Sequence, residues 1–202
     1  RFILGSNTER MRLTSGGTLL VGKTSDSNNG AGISLLASGL LRVVRDNIGA
    51  VFNRTSTDGP VVHFRKDDTT VGSISVTGST TSYNTSSDYR LKENVDILDD
   101  GLQRLMQLKP KKFNFIADPA TNMDGFLAHE VQDVVPEAVT GSKDAVDEDG
   151  NPEYQGIDQS KLVPLLTAAL QQANEKIDQQ QTVIDDLVNR ITALEQSQEN
   201  NT

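Results

Sequence analysis

The chain has 202 residues, no Cys and no Trp, and a formal net charge of −9. Without Cys, disulfides and thiol chemistry are excluded, and no apolar run approaches the ~20 residues that span a membrane. Residues 1–86 carry 9 Lys/Arg against 6 Asp/Glu and residues 87–202 carry 10 against 22, so neither half has the basic stripe of a nucleic-acid partner.

Residues 1–86 read as short β segments divided by turns. Arg10-Met11-Arg12-Leu13-Thr14 runs through Ser15-Gly16-Gly17 into Thr18-Leu19-Leu20-Val21-Gly22. Ala50-Val51-Phe52-Asn53-Arg54 reads as a further strand. Val61–Arg65 leads through Asp67-Asp68 to Val71–Val76. Turn residues at this spacing predict hairpins or a β-stalk. Each strand offers one or two inward apolar residues, too few for one chain to offset its ordering entropy. Several chains sharing one core would remedy this; a small β-sandwich is the alternative. Residues 77–86 have no apolar periodicity and read as an extended linker. Arg1 in place of Met suggests a piece of a longer chain.

After residue 86 the pattern turns helical. Asp99-Asp100-Gly101 precedes Leu102, Leu105, Met106 and Leu108, with acids at the positive end of a helix dipole. Pro110 stops that helix. Lys112–Phe115 and Gly125–Ala128 read as strands, and Glu130, Val131 and Val134 as a short helix ending at Pro136. Residues 140–157 predict an exposed hairpin or arm, with Asp149-Gly150 as its turn. A long helix starts near Asp158 or Ser160, with Pro164 tolerable in its first turn. Its seam places Leu170, Ile177, Ile184 and Ile191 at a, and Leu166, Ala173, Gln180, Leu187 and Leu194 at d, which predicts a coiled coil. Ile at a with Leu at d favours two strands, whereas Val183 at g and Val188 at e widen the face. The heptads leave dimer and trimer open, and the thin β-half favours a trimer.

Ser87 and Lys92 are the candidate chemical pair. A serine needs a base, and the two histidines, His63 and His129, have no Ser/Asp constellation around them. A lysine serves as base once burial or a nearby cation keeps it neutral. Residues five apart on one α-helix lie about 140° apart. Ser87 is therefore expected in an extended or turn segment, with the chain folding back to Lys92 and Asp88 capping the turn. Spacing alone leaves a chance pair as the default.

Ser86-Ser87-Asp88-Tyr89-Arg90-Leu91-Lys92-Glu93-Asn94-Val95 resembles the start of the intramolecular chaperone auto-processing domain of phage tail spikes and fibres, the endosialidase-tailspike type. The resemblance runs over about residues 87–195. It includes Leu105 through Leu108-Lys109-Pro110, Phe113-Asn114-Phe115, Gly125–Val131, Val135–Val139 and Leu162–Leu166. Phe52-Asn53-Arg54, Phe64 and Val71-Gly72-Ser73-Ile74 also resemble fibre sequence upstream of such a domain. His129 stands where the family often has Gln, which reads as a packing variant.

The resemblance implies an elongated α+β homotrimer. Residues 1–86 would form an intertwined, triple β-helix-like stalk, and residues 87–202 a chaperone domain ending in a coiled-coil helix at about 160–196. It implies a chaperone that trimerises and folds the upstream fibre portion of the same polypeptide. Self-cleavage at Ser86–Ser87 would then release it, with Ser87 as nucleophile, Lys92 as base, and Asp88 and Arg90 in support. The stalk would reside on a virion tail and the released part in the host cytoplasm. Glu93 reads as a solvated or paired charge. A trimeric fibre tip that stays attached without cutting is the alternative; a glycan-binding module lacks paired carboxylates or an aromatic platform. No cofactor or metal is implied: the histidines lack ligand spacing, and Asp144–Asp149 lacks the EF-hand order.

Overall fold

The computed structural model describes residues 2–4 and 8–199. Residues 1, 5–7 and 200–202, which fall within the predicted stalk and chaperone spans, lie outside the described residues. The chain divides between Glu93 and Asn94 into two compact units.

The first unit begins with a five-stranded antiparallel meander: β1 Phe2–Leu4, β2 Thr8–Leu13, β3 Leu19–Val21, β4 Gly32–Leu35 and β5 Leu41–Val44. Gly17 closes the β2–β3 turn at φ +80°, a conformation that costs a side-chain-bearing residue 1–2 kcal/mol or so. Leu20 pairs with Ser34 across β3 and β4, and both side chains are buried. Among the described residues of this unit, Leu20 is the one buried apolar side chain. The thin core expected from composition is what a single chain has.

A second sheet follows in sequence order: β6 Gly59–Lys66, β7 Thr69–Val76 and β8 Thr81–Thr85. Asp67 and Asp68 join β6 to β7 with φ of 47° and 61°. Two left-handed central residues match the right-handed twist of the flanking strands.

Two expectations for this unit are corrected, and two strands are added. Residues 50–54 form no strand; Val51 and Phe52 are exposed, and among the described residues the segment has no ladder partner. Strands β4 and β5 were not foreseen, because the Gly/Ser/Asn-rich residues around them mask a short alternation. Residues 81–85 are not linker but an edge strand. All five side chains of β8 are exposed, so apolar periodicity could not reveal it. Backbone pairing with β7 holds it, and Asn84 Nδ2 donates to Ser73 Oγ at 3.3 Å and Ser75 Oγ at 3.1 Å.

The second unit is mixed α and β. It contains α1 Gly101–Leu105, the antiparallel pair β9 Lys111–Phe115 and β10 Asp118–Gly125, α2 Ala128–Gln132, the pair β11 Val139–Thr140 and β12 Gly156–Ile157, and α3 Val163–Glu199. Its core gathers Leu108, Val131, Val135, Ala138, Leu162 and Leu165. The helix expected through Leu108 ends at Leu105; Leu108 follows a turn and is itself buried. The strand expected at 125–128 ends at Gly125, the last residue paired with β9. Leu127 is extended (φ −87°, ψ 126°) and caps α2 instead. The predicted arm is present: β11 and β12 are its base, and Val146 bridges Pro152 near its tip.

Asp158 caps a 3-10 turn at Gln159–Leu162, and its carboxyl lies below the usual range because the Ser160 hydroxyl donates to it. That turn feeds α3 and leaves Pro164 in the first helical turn, where no backbone donor is lost. The buried face of α3 is short: Leu165, Ala168 and Ala169. Gln172 ends it by binding the start of α1. Its Oε1 accepts from Leu102 N at 2.8 Å, and its Nε2 donates to Asp99 O at 2.8 Å and Leu98 O at 3.3 Å. Beyond Gln172, the seam residues Ile177, Ile184, Leu187, Ile191 and Leu194 are exposed. The α+β class and the long C-terminal helix agree with the sequence reading.

Candidate active site

Ser87, Asp88, Arg90 and Lys92 occupy one short turn at the end of the first unit. Asp88 is extended (φ −64°, ψ 136°) and accepts from Arg90 N at 2.9 Å, starting a 3-10 turn at Tyr89–Leu91. Short polar side chains favour this position because they satisfy a backbone donor that the turn leaves free. The Arg90 guanidinium then grips the same carboxylate, Nε to Oδ1 at 2.9 Å and Nη2 to Oδ2 at 2.7 Å. This two-point contact fixes the plane of both groups. It holds the Asp88 carboxyl below its usual range, first through the Arg90 side chain and second through the Arg90 backbone N–H. It raises the guanidinium correspondingly.

The turn closes when Leu91 N donates to Asp88 O and Lys92 N donates to Tyr89 O, both at 3.1 Å. Lys92 returns to extended backbone (φ −123°, ψ 142°). Its side chain thereby points back across the turn, and Nζ donates to Ser87 Oγ at 2.8 Å. The five-residue spacing that cannot share a helix face becomes a direct contact across one 3-10 turn.

Ser86 precedes this turn and belongs to the sheet. Its N–H and its hydroxyl both donate to Val71 O, at 3.3 and 3.4 Å. The Ser86–Ser87 peptide bond thus runs between two tethers, one to β7 and one to Lys92. Sequence reasoning missed the first tether. Its signal was Gly72, a glycine inside a strand pattern, which marks a close backbone approach.

Ser86, Ser87, Asp88, Arg90, Lys92 and Glu93 are all exposed. So are Tyr89 at 81% and Leu91 at 73%, which flank the pair. His63 lies on β6, and His129 lies on α2 beside Glu130. Glu130 takes ion-pair contacts from Lys109 at 3.7 Å and Lys111 at 3.6 Å, joining α2 to the β9 region. In the arm, Asp147 accepts from Asn151 and Asp149, which accounts for its lowered carboxyl. Among the described residues, no three His, Cys, Asp or Glu are grouped to hold a metal ion.

Residues 87–140 match a peptidase family described as the chaperone of endosialidase. The match begins at Ser87, spans the Ser87–Lys92 turn, the 111–125 hairpin and α2, and ends with β11. It is the family that the sequence motifs resemble. No curated protein matches the chain.

Proposed function

We propose that this chain is the end of a phage tail fibre or spike that folds as a homotrimer under its own C-terminal chaperone, which then cuts itself free at Ser86–Ser87. The observation that carries the reading is the 2.8 Å contact between Lys92 Nζ and Ser87 Oγ, within the segment that matches the chaperone family. A serine nucleophile needs a base within hydrogen-bond reach. Lys92 meets that geometry by the shortest local route.

The chemistry balances as follows. Neutral Lys92 takes the proton of Ser87 Oγ as that oxygen attacks the Ser86 carbonyl carbon. The C–N bond breaks, and Lys92 returns the proton to the departing Ser87 nitrogen. The product is an ester between the Ser86 carbonyl and Ser87 Oγ, with a free α-amine on Ser87. Water then adds to the ester and the C–O bond breaks. This leaves a carboxylate on Ser86 and restores the Ser87 hydroxyl. One water is consumed and no cofactor takes part. Asp88 and Arg90 do not meet the reacting atoms; they hold the turn that aims Lys92.

Two features support assembly. The seam of α3 beyond Gln172 is apolar and exposed over a helix of 37 residues, about 55 Å at 1.5 Å per residue. The β sheets of the first unit bury too little apolar surface to hold one chain firmly. Three chains sharing these faces would gain both a coiled coil and a common stalk core. Joining them first at α3 raises the effective concentration of the strands that must find register. Burial of the turn among neighbours would also favour the neutral lysine that the reaction needs. Folding would then precede cutting.

Purified wild-type chain, assembled and then denatured, should show two masses divided after Ser86, and Ser87→Ala a single mass. A wild type that stays whole after assembly refutes self-cleavage and leaves a permanently attached fibre tip.

A further inference from the structure

The cleavage reading uses Ser87 and Lys92 but leaves unexplained what holds the carbonyl under attack. That carbonyl belongs to Ser86, one residue beyond β8. An edge strand with five exposed side chains has little to anchor it. Even so, its ladder extends past Thr85: Ser86 N and Ser86 Oγ both reach Val71 O. Next to Val71 stands Gly72, which pairs with Thr85. A Cβ on Gly72 would lie 2.9 Å from Asn84 O. Real Cβ atoms essentially never sit that close to backbone, so β8 reaches this end of β7 only because residue 72 has no side chain. The backbone of Gly72 does not need the left-handed region; space alone requires the glycine here.

We propose that Gly72 and the Val71 carbonyl are positioning elements for the cut. Closure of β8 on β7 holds the Ser86 carbonyl in the path of Ser87 Oγ, so the reaction waits on the folded sheet. This rests on the self-cleavage reading and adds its regulation: upstream strand pairing licenses the bond to break. The two tethers act on opposite sides of one peptide bond. Lys92 fixes the nucleophile at 2.8 Å, and Val71 fixes the residue that carries the electrophile. Displacing a reacting atom by ~1 Å costs about 10²-fold in rate, and relieving the 2.9 Å contact to ordinary van der Waals distance requires a shift of about 0.5–1 Å.

The test uses the full chain. Gly72→Ala should lower the rate constant of cleavage by about 10²-fold, with the midpoint of the pH–rate profile unchanged, since Lys92 and its neighbours Asp88, Arg90 and Glu93 are untouched. Gly78→Ala, in the β7–β8 turn where an added Cβ meets nothing within 4 Å, should cut at the wild-type rate. In the uncuttable Ser87→Ala background, adding Gly72→Ala should speed amide hydrogen exchange over residues 81–86 and leave β6 protected. If Gly72→Ala does not assemble, Asn84→Ala loosens the same strand by removing its bonds to Ser73 and Ser75 without adding volume; it too should slow the cut. Gly72→Ala cutting as fast as wild type, or a shifted pH midpoint, overturns this inference alone. A wild type that never cuts overturns the cleavage reading and this inference with it.

Discussion

Replacing Lys92 by Arg separates the contact from the chemistry. Arginine keeps the positive charge and has the reach to donate to Ser87 Oγ, as Lys92 does at 2.8 Å. It cannot give up its proton in a protein, so it cannot serve as the base. The residue is exposed in the single chain, and its backbone N–H still donates to Tyr89 O. The Asp88–Arg90 turn and the unit around it should survive unchanged. General-base assistance is worth about 10²–10⁴-fold, or roughly 3–5 kcal/mol of barrier at 1.36 kcal/mol per tenfold. Lys92→Arg should therefore assemble normally and cut at least 10²-fold more slowly or so than wild type. A time course on denaturing gels reads the outcome, because a cut after Ser86 divides the 202 residues into pieces of 86 and 116. A Lys92→Arg chain that cuts within about threefold of the wild-type rate refutes the lysine as base, since no general-base term would then have been lost.

Gln172→Ala should weaken the second unit. It removes three hydrogen bonds at the start of α1, each worth about 1 kcal/mol net, so denaturant midpoints should fall by the equivalent of roughly 2–3 kcal/mol with the slope unchanged. Ile184→Asp, at an exposed a position of α3, should leave single-chain helicity intact and abolish the proposed trimer, read by sedimentation. The Asp88 carboxyl should titrate below the ~3.9 of a free aspartate, read by NMR, because Arg90 stabilises the anion. Its depressed folded value means the cap is fully present above the unfolded value and is lost as pH falls through the folded one. Asp88→Ala should therefore slow cleavage wherever the carboxylate is ionised and lose that effect once acid has already protonated it, whereas Asp88→Asn, which keeps an acceptor for Arg90 N, should retain part of the rate.

What was legible in the sequence is what depends on near neighbours. The β6–β7 hairpin was visible because Asp67-Asp68 supplies a turn between two alternating runs. The Asp88 cap and the fold-back of Lys92 followed from spacing, since i and i+5 cannot face each other on one helix. Strands held by backbone alone were not visible. β8 has no inward apolar residue, and its place is fixed by pairing with residues about ten positions away. Residues 50–54 failed the opposite way: Val51 and Phe52 give strand propensity, but no partner strand is adjacent, and propensity without pairing makes no sheet. Gly125 was read as the start of a strand and is its end, because the pairing residues precede it in the polar run Asp118–Asp124, where periodicity has nothing to register.

The same division between local and distant causes bears on why a cut would sit at this point in the chain. The second unit has a core of its own, with Val131, Val135 and Ala138 each about 1% exposed. Among its described residues, the first unit has Leu20. A unit with its own core can fold without waiting for the other, and one with a single buried apolar residue needs outside support. Under the proposed function, the stable unit supports the weak one until three chains share a core, and the peptide bond between them then breaks. The Ser86 tether makes that order physical. Lys92 is brought to Ser87 by a local turn of six residues; Val71 meets Ser86, and Gly72 meets Thr85, only once β7 and β8 have paired. Under the proposed function, a reaction that needs both tethers waits on the pairing of β7 and β8. Once the bond is cut, strands that lose register have no chaperone to restore it, and their persistence is set by an unfolding barrier rather than by an equilibrium.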